Sequence, residues 1–349
     1  MTEQGLIQVR EELNWKSIEH HIRSNIPNLA NEAMSVRQFS AGYSNLTYLL
    51  KIGDWEAVFR RSPLGPIPPK AHDMEREFKI LQSVNPVFPL APKPYLFCND
   101  AAIMERPFYI MERKTGVVLD DSIPTEYEKT EETYQQISKS IIQTLVQLHE
   151  INYTKTKLTE LARPDGYLER QVLGWIKRYH AAMTDEITIV QEIEQWLIAN
   201  IPKYTRPTIV HNDFKLNNLM LASDNPGITV GVFDWEMSTV GDPLTDLGSA
   251  IAYWVEAGEP ATGLTSITTL PGFLKRRDLV ELYAEKSGRD VSNIDYYLTF
   301  AFYKVAVILQ QIYYRWKQGQ TSDNRFEKLG MGVNNLMELS IRAKYKELL

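Results

Sequence analysis

The sequence predicts an α+β protein with two lobes, a small N-terminal lobe rich in β-strands and a larger helical C-terminal lobe. Short strand-like segments separated by turns occupy much of the first third of the chain. From about Thr130 onward, apolar residues recur at helical spacing, and strand signals return only between Pro207 and Asp234. We therefore predict an N-terminal lobe over residues 1–113 and a C-terminal lobe over residues 114–349.

Capping and turn signals define the elements of the N-terminal lobe. Asn14 is the predicted N-cap of a first helix over residues 15–25. Gly53-Asp54 is the predicted turn between two strands, and proline-rich segments interrupt regular structure. The remaining predictions are strands at 47–52, 57–60 and 108–111, a helix at 74–81, and proline-rich loops at 62–69 and 86–94.

The C-terminal lobe is predicted to be helical except around one hairpin. The turn Ser223-Asp224-Asn225-Pro226-Gly227 joins the last two strands, and helical spacing continues after Pro243, including an aromatic-rich run at 293–317. Earlier helices are predicted at 137–148, 168–180 and 187–198, and strands at 208–210, 219–221 and 228–233.

Composition is that of a globular protein with a sizeable core. The 349 residues are 44% hydrophobic and 23% charged, and the net charge of −6 argues against a protein that binds nucleic acid. The single cysteine, Cys98, excludes a disulfide framework and fits a reducing compartment. Neither end carries a recognisable targeting signal and no long segment is apolar enough to span a membrane. We therefore expect a cytoplasmic protein without a membrane or nucleic-acid partner.

The most informative motif is His211-Asn212-Asp213-Phe214-Lys215-Leu216-Asn217-Asn218, followed by Asp234 after a short apolar strand. The spacing His-x-Asp-x-Lys-x-x-Asn is that of the catalytic loop of protein kinases. Phosphoryl transfer from a nucleotide needs a carboxylate beside the attacking hydroxyl group. It also needs an amide and a second carboxylate that hold magnesium. We therefore predict Asp213 as a catalytic residue and Asn218 and Asp234 as ligands of Mg²⁺.

Residues around this motif have predicted supporting roles. Lys215 can neutralise charge that develops on the transferred phosphoryl group, and it is the second predicted catalytic residue. His211 is interpreted as a packed structural histidine and not as a base. In the segment 241–247, Pro243 suits the first turn of a helix with Asp242 as its cap. Asp246, one turn later, is predicted to brace the catalytic loop through backbone hydrogen bonds.

The N-terminal lobe must hold the nucleotide, and one candidate is the segment Ser40-Ala41-Gly42-Tyr43-Ser44-Asn45. It precedes a strand, as a loop that covers phosphates does. Gly42, Ser44 and Asn45 are the predicted contacts. Because the segment contains a single glycine, an ordinary hairpin turn is an alternative interpretation.

A second candidate for phosphate binding is Arg60, at the end of the second strand. Glu77 on the next helix can pair with it, as a glutamate pairs with a lysine in kinases. Arg61 competes for the role. Strand alternation favours Arg60, because it places Val58 and Arg60 on one face of the sheet and Arg61 on the other.

With these residues identified, the chain resembles the aminoglycoside phosphotransferase superfamily, which has the protein-kinase-like fold. The superfamily motifs are His-x-Asp with Asn five residues later, hydrophobic-Asp-Trp-Glu, and Gly-Asp-Pro-x-x-Asp-Leu. Here they correspond to residues 211–218, 233–236 and 241–247. The branch related to the kinase-like domain attached to some acyl-CoA dehydrogenases is more similar still. Pieces that resemble it are Gly42-Tyr-Ser-Asn45, Val58-Phe-Arg-Arg-Ser-Pro63, His72-Asp-Met-Glu-Arg-Glu-Phe78 and Gly166-Tyr-Leu-Glu-Arg-Gln171, so that matches extend over about 36–256.

The resemblance implies a fold, a phosphoryl donor and a metal ion. It implies a small antiparallel sheet with one main helix, a larger helical lobe, Mg²⁺ as cofactor, and ATP, or GTP, as donor. Residue by residue, the resemblance makes Asp213 the catalytic aspartate and makes Asn218 and Asp234 the metal ligands. Arg60 and Glu77 become the pair that positions the phosphates. The hinge that receives adenine is then formed by Met111, Glu112 and Arg113. The glycine-poor phosphate loop and Arg in place of Lys depart from many kinases and leave the choice of nucleotide open.

The predicted acceptor is a small hydroxyl compound. A protein kinase has a long peptide-docking segment after its metal-binding Asp, whereas here Asp234 is followed within nine residues by Pro243 and a helix. Glu256 and Glu259 can attract a cationic acceptor such as an aminoglycoside, choline or another amine. They can equally be solvated surface charges, and a sugar or other alcohol remains an alternative acceptor.

Two other functions compete with this interpretation. The first is a nucleotide-binding pseudokinase with a regulatory or assembly role, which would bind nucleotide without turnover. The second is a metal-dependent phosphohydrolase that uses His211, Asp213 and Asp234 as ligands, although only six histidines occur in the chain. The sequence leaves the oligomeric state open.

Overall fold

The computed structural model describes residues 6–9, 13–39, 46–62, 73–160, 162–203, 206–320 and 324–349. The chain divides into two compact units, each assembled from several segments. The first comprises Met1–Val118, Thr156–Leu158 and Asn218–Ser238, and the second comprises Leu119–Lys155, Thr159–Asn217 and Thr239–Leu349. The predicted lobe boundary at residues 113 and 114 stays a prediction.

The first unit contains a six-stranded antiparallel sheet with the strand order β1-β2-β3-β4-β6-β5. Its strands are β1 (Leu6–Ile7), β2 (Ser35–Phe39), β3 (Leu46–Ile52), β4 (Trp55–Arg61), β5 (Pro94–Cys98) and β6 (Phe108–Glu112). The turn at Gly53-Asp54 between β3 and β4 is confirmed. The strands β1, β2 and β5 were not predicted, and Cys98 is a buried free cysteine at the end of β5.

Two helices pack on opposite faces of this sheet. Helix α1 (Trp15–Asn25) begins where the Asn14 side chain accepts a hydrogen bond from Ser17 N, which confirms the predicted cap. The α1 residues Ile18 and Ile22 join a core cluster that includes Phe59 of β4. Helix α2 (Met74–Val84) is capped by Asp73, whose side chain accepts from Arg76 N. Its residues Phe78 and Glu77 contact Tyr109 of β6 and Arg60 of β4, respectively.

A smaller sheet of the first unit carries the end of the catalytic motif. It has the order β10-β9-β7, from β7 (Val117–Val118), β9 (Leu219–Ala222) and β10 (Asn225–Val232). The predicted hairpin is confirmed, but β10 begins at Asn225, three residues earlier than expected. Its pairing with β9 is irregular between Asn225 and Thr229. Pro226 lies in this stretch and has no N–H to donate, which explains the break in the ladder.

The second unit is mainly helical. Its helices are α3 (Glu131–His149), α4 (Tyr167–Ala182), α5 (Val190–Ala199), α6 (Leu244–Ala252), α7 (Arg276–Ser287), α8 (Ile294–Lys317) and α9 (Leu329–Lys344). A two-stranded antiparallel sheet pairs β8 (Thr208–Val210) with β11 (Thr239–Gly241). Helix α8 lies at the centre of the second unit, because α4, α5, α6 and α9 all pack against it. Its residues from Tyr296 to Val307 are buried on every side, as expected of a helix that is apolar all round.

The helical prediction for everything after Pro243 is wrong for the segment between α6 and α7. Residues 253–275 contain only one short 3-10 turn, Ile267–Thr269. Gly258, Gly263 and Gly272 have φ angles of 90°, 81° and 109°, which a helix does not tolerate. Among the described residues, no helix combines the length and apolar character needed to cross a lipid bilayer.

Candidate active site

Arg60 is the centre of the group of predicted site residues in the first unit. Its Nε donates to Glu77 Oε2 at 3.2 Å, and its Nη2 donates to Asp234 Oδ1 at 2.5 Å. The Arg60 and Glu77 side chains are only 11% and 2% exposed, so both charges are withdrawn from water. The predicted contact of Arg60 with Glu77 is present. The fold also brings the predicted phosphate-binding residue to a predicted metal ligand far away in sequence.

This cluster holds more negative than positive charge. Glu77, Asp234 and Glu236 contribute three carboxylates, against the guanidinium groups of Arg60 and Arg76; Arg76 donates to the backbone carbonyl group of Glu236. Burial, reinforced by Asp234 and Glu236, raises the pKa of Glu77 to about 7, although Arg60 opposes the shift. Burial by itself would lower the pKa of Arg60, but the surrounding acids, Glu77 above all, raise it well above its ordinary value. Arg60 is therefore permanently charged.

Asn218 and Asp234 lie at neighbouring ends of the β9–β10 hairpin. The N–H of Phe233 donates to the carbonyl oxygen of Asn218 at 2.9 Å, immediately beyond the last paired residues of the hairpin. Asp234 has a φ of 67°, a left-handed conformation that residues other than glycine rarely adopt and that is often found at functional sites. Magnesium is usually held by one or two carboxylates together with phosphates and waters. One carboxylate, one amide and a local excess of negative charge fit such an ion.

The predicted adenine hinge lies at the end of β6. Met111 is buried in the strand, and the Glu112 N–H donates to the carbonyl oxygen of Lys93 at 2.8 Å. The side chain of Arg113 forms an ion pair with Glu56. The Glu112 N–H is already bonded within the protein. The predicted contact with adenine would therefore use other backbone groups of residues 111–113. Gly42, Ser44 and Asn45, the predicted phosphate-loop contacts, lie outside the described residues.

In the second unit, Asp246 holds the backbone of the predicted catalytic loop. Its Oδ2 accepts from His211 N and its Oδ1 accepts from Asn212 N, both at 2.6 Å. The predicted brace is therefore confirmed. Asp246 is fully buried, and burial would raise its pKa, but hydrogen bonds from His149 and from the His211 backbone lower it below its ordinary value. Asp246 thus remains an ionised acceptor.

His149 completes the brace from helix α3. Its Nε2 lies 3.3 Å from Asp246 Oδ2, and its Nδ1 lies 2.7 Å from the hydroxyl oxygen of Tyr283. Burial lowers the pKa of His149. Because an ionised carboxylate can only accept, the network assigns the imidazole proton to Nε2 and leaves Nδ1 to accept from Tyr283.

Asp213 follows the braced residues and contacts Lys215. Lys215 Nζ lies 2.9 Å from Asp213 Oδ2, and their side chains are 22% and 14% exposed, respectively. The ammonium group also lies 5.0 Å from the ring centroid of Tyr253, a cation–π contact; burial raises the pKa of this tyrosine to about 12. His211 is fully buried and its Nδ1 accepts from Asp213 N at 3.3 Å. This agrees with the predicted structural role of His211.

The turn before Asp213 is fixed by Tyr167. Asn212 has a φ of 65°, and its Oδ1 accepts from the Tyr167 hydroxyl group at 2.6 Å. The Tyr167 ring lies where Gly241 has no side chain: a Cβ at Gly241 would come within 2.6 Å of it. Asp242 Oδ1 accepts from Leu244 N at 3.0 Å, which agrees with its predicted capping role.

Glu256 and Glu259 are both engaged by one residue of the protein. Both contact Arg276 at the start of α7: Glu256 Oε1 accepts from Arg276 N at 2.7 Å, and Glu259 pairs with the Arg276 guanidinium group through both of its oxygens. Arg276 is 1% exposed and needs this compensation. The predicted attraction of an amine by these two carboxylates therefore lacks support from their geometry.

Several residues that support these groups were not predicted: Arg76, His149, Tyr167, Tyr253 and Lys304. Lys304 lies on α8 and donates to the carbonyl oxygen of Asn212. Each contacts its partner across a large sequence separation, so no local motif points to it. A weak signal exists for Lys304 alone, because a lysine within a long apolar helix needs a buried partner.

Comparisons with known proteins agree with this architecture. The model of the phosphotransferase enzyme family matches residues 35–275. Acyl-CoA dehydrogenase family member 11 of Mus musculus is 32% identical over 351 residues. The match covers 97% of this chain and 44% of that protein, so this chain spans less than half the length of that relative.

Two solved structures have similar folds. A proposed aminoglycoside phosphotransferase from Ralstonia eutropha JMP134 has a TM-score of 0.82 and 27% identity, with 96% of this chain and 99% of that chain covered. Choline kinase from Cryptosporidium parvum Iowa II has a TM-score of 0.67 and 13% identity, with 96% and 98% covered. The predicted α+β, protein-kinase-like fold is confirmed. Because the family match spans more than half of the 349 residues, the chain belongs to the phosphotransferase enzyme family.

Proposed function

We propose that this protein is a magnesium-dependent small-molecule kinase that transfers the γ-phosphoryl group of ATP, or of GTP, to a hydroxyl group. The observation that carries the proposal is the contact of Arg60 with both Glu77 and Asp234. A residue that binds phosphates and a residue that binds their metal ion must act on the same nucleotide. Their contact within one unit supports a shared ligand.

The first unit binds the nucleotide phosphates in this proposal. Asn218 and Asp234 would hold Mg²⁺, which would neutralise the charge of the phosphates. Arg60, held by its buried partner Glu77, is the proposed cationic contact of the phosphates. The excess of carboxylates over guanidinium groups supports the binding of a divalent cation.

The second unit supplies the groups that act on the acceptor. Asp213 accepts a hydrogen bond from the acceptor hydroxyl group and orients its oxygen toward phosphorus. Lys215, 2.9 Å from Asp213, offsets negative charge on the transferred group. Tyr253 limits where the Lys215 ammonium group can lie. His211 is buried and engaged with the Asp213 amide, which disfavours the alternative of a phosphohydrolase with His211 as a metal ligand.

The choice of acceptor remains broad within small hydroxyl compounds. One structurally similar protein is a choline kinase and another is a proposed aminoglycoside phosphotransferase, which suggests amines as one class. Glu256 and Glu259 are committed to Arg276, which removes the main argument for a cationic acceptor. Neutral and anionic alcohols are therefore as good candidates for the acceptor as amine-containing alcohols.

The test is a phosphorylation screen with magnesium and γ-labelled ATP or GTP over amine, sugar and acid alcohols. The variant Asp213→Asn is compared with the wild type, and Asp290→Asn, an exposed aspartate with only local bonds, is the matched control. We expect transfer by the wild type and by Asp290→Asn. Loss of a general base should slow Asp213→Asn by about 10²–10⁴-fold.

The same assay separates the competing functions. Nucleotide binding without transfer to any compound would favour the pseudokinase. Transfer that persists undiminished in Asp213→Asn would remove Asp213 from the mechanism.

A further inference from the structure

Lys304 is a charged side chain in the apolar centre of the second unit. It lies on α8 among residues that are buried on every side, and it is itself 7% exposed. Lysine is seldom buried in this way unless its ammonium group has partners. Burial lowers the pKa of Lys304, while the carboxylates of Asp213 and Asp246 oppose that shift. The charge is thus kept close to the catalytic loop.

The contacts of Lys304 connect helix α8 to one peptide group of that loop. Its Nζ donates to the carbonyl oxygen of Asn212 and lies 5.6 Å from the ring centroid of Trp175 in α4. The Trp175 ring offers the ammonium group a cation–π contact that needs no further carboxylate. Trp175 therefore stabilises the ammonium group without adding an acceptor that would compete for its hydrogen bond to the loop.

The peptide group that Lys304 holds is the one that joins Asn212 to Asp213. Because a peptide unit is planar, its C=O and its N–H move together. Lys304 binds the oxygen, and on the other side the Asp213 N–H donates to His211 Nδ1 at 3.3 Å. The orientation of this plane determines where the Asp213 side chain begins.

The residue before this peptide plane is in a costly conformation. Asn212 has a φ of 65°, and its N–H and side chain are bound by Asp246 and Tyr167, both at 2.6 Å. A left-handed residue other than glycine persists only where its surroundings hold it. Asp246 and Tyr167 hold the N–H and the side chain of Asn212. Lys304 holds its carbonyl group, which lies next to Asp213 in the chain.

We propose that Lys304 is a positioning residue for Asp213, which it holds in place through the carbonyl oxygen of Asn212. This inference rests on the proposed function, in which Asp213 orients the acceptor. Lys304 acts through the loop and has no contact with substrate in this scheme.

The test compares Lys304→Met with a matched variant of the same helix. Gln310 is also buried on α8 and donates to a backbone carbonyl oxygen, that of Ala182 at 2.8 Å, away from the catalytic loop. Gln310→Met therefore removes a comparable buried tether. Amide hydrogen exchange, followed by mass spectrometry, reports the protection of residues 209–216 in each variant and in the wild type.

Exchange in 209–216 should accelerate at least about tenfold in Lys304→Met and should match the wild type in Gln310→Met. With an acceptor from the screen, kcat of Lys304→Met should fall by about 10²-fold while KM for magnesium-ATP stays within about twofold. Lys304→Arg, which keeps a cationic donor, should recover part of both losses. Should Lys304→Met fail to fold, Lys304→Gln carries the same expectation, because its amide is too short to reach the loop.

Equal exchange in Lys304→Met and Gln310→Met, or an unchanged kcat in Lys304→Met, would overturn the proposal and leave Lys304 a purely structural residue. Absence of phosphoryl transfer by the wild type would count against the kinase proposal instead. In that case the exchange comparison alone decides whether Lys304 holds the loop.

Discussion

The two groups of site residues differ in how completely the protein itself balances their charges. In the first unit, the carboxylates of Glu77, Asp234 and Glu236 outnumber the guanidinium groups around them, and the pKa of Glu77 is raised to about 7 by burial. In the second unit, burial would raise the pKa of Asp246 as well, yet His149 and His211 lower it.

The difference indicates which of the two groups the protein stabilises by itself. A carboxylate with a lowered pKa is stabilised by its surroundings, so the catalytic loop is held in place without a ligand. A carboxylate with a raised pKa is destabilised as an anion, and such groups are common where a protein binds or reacts with something else. The first cluster is therefore the one that the proposed magnesium ion would stabilise.

The largest expected effect is that of Asp246→Asn. One acceptor oxygen becomes an NH₂ group that faces a backbone N–H, so a buried donor loses its partner. We expect the free energy of unfolding to fall by about 3 kcal/mol or more, measured by urea denaturation. Asp290→Asn, which changes an exposed aspartate with a local bond to Ser292 N, should change it by less than about 1 kcal/mol. Equal effects of the two substitutions would show that the brace adds no stability.

A smaller loss is expected from Gly241→Ala. The new Cβ would lie 2.6 Å from the Tyr167 ring, so the ring must move and weaken its hydrogen bond to Asn212. Overpacking of this kind costs about 1–3 kcal/mol, and phosphoryl transfer should slow with it. The control is Gly174→Ala in α4, where the nearest atom is the mobile end of Arg178 at 3.3 Å. That change should be neutral or should raise the free energy of unfolding by up to about 1 kcal/mol. Unchanged stability and unchanged phosphoryl transfer in Gly241→Ala would contradict the role given to Tyr167.

The effect that is smallest within any one pH unit is a pH dependence of stability that comes from Glu77. Its pKa is about 7 in the folded protein and 4.5 ordinarily, so the folded state binds the proton more tightly. Stability from this group is complete below pH 4.5 and is lost as the pH rises toward 7, at a rate on the order of 1 kcal/mol per pH unit. Glu77→Gln should flatten the unfolding free energy across this range in metal-free buffer. An identical pH profile for wild type and variant would mean that Glu77 is not the titrating group.

The sequence was sufficient for contacts that depend on local periodicity. The cap at Asn14 and the separation of Arg60 from Arg61 follow from helix and strand signals within single elements. The pairing of Arg60 with Glu77 was expected from the lysine–glutamate pair of kinases, and the brace by Asp246 from its place one turn into the helix after the motif.

Contacts between distant elements that belong to no recognised motif could not be predicted from the sequence. His149, Tyr167 and Lys304 approach the catalytic loop from three different helices, and only the packing of those helices decides where their polar ends lie. Strand β5 was missed for a different reason: it is an edge strand that begins at Pro94, and proline is tolerated there although it signals a break. Glu256 and Glu259 were misjudged because their partner, Arg276, follows a long irregular segment.

The most direct measurement is a calorimetric titration of ATP with magnesium and with EDTA, on the wild type, on Asp234→Ala and on Asp224→Ala. Asp224 is an exposed acid in the turn of the same hairpin and serves as the control. If the first cluster is completed by a divalent cation, magnesium should strengthen ATP binding at least about tenfold, or ~1.4 kcal/mol, in the wild type and in Asp224→Ala. Asp234→Ala should lose that gain. An undiminished magnesium effect in Asp234→Ala would contradict the account.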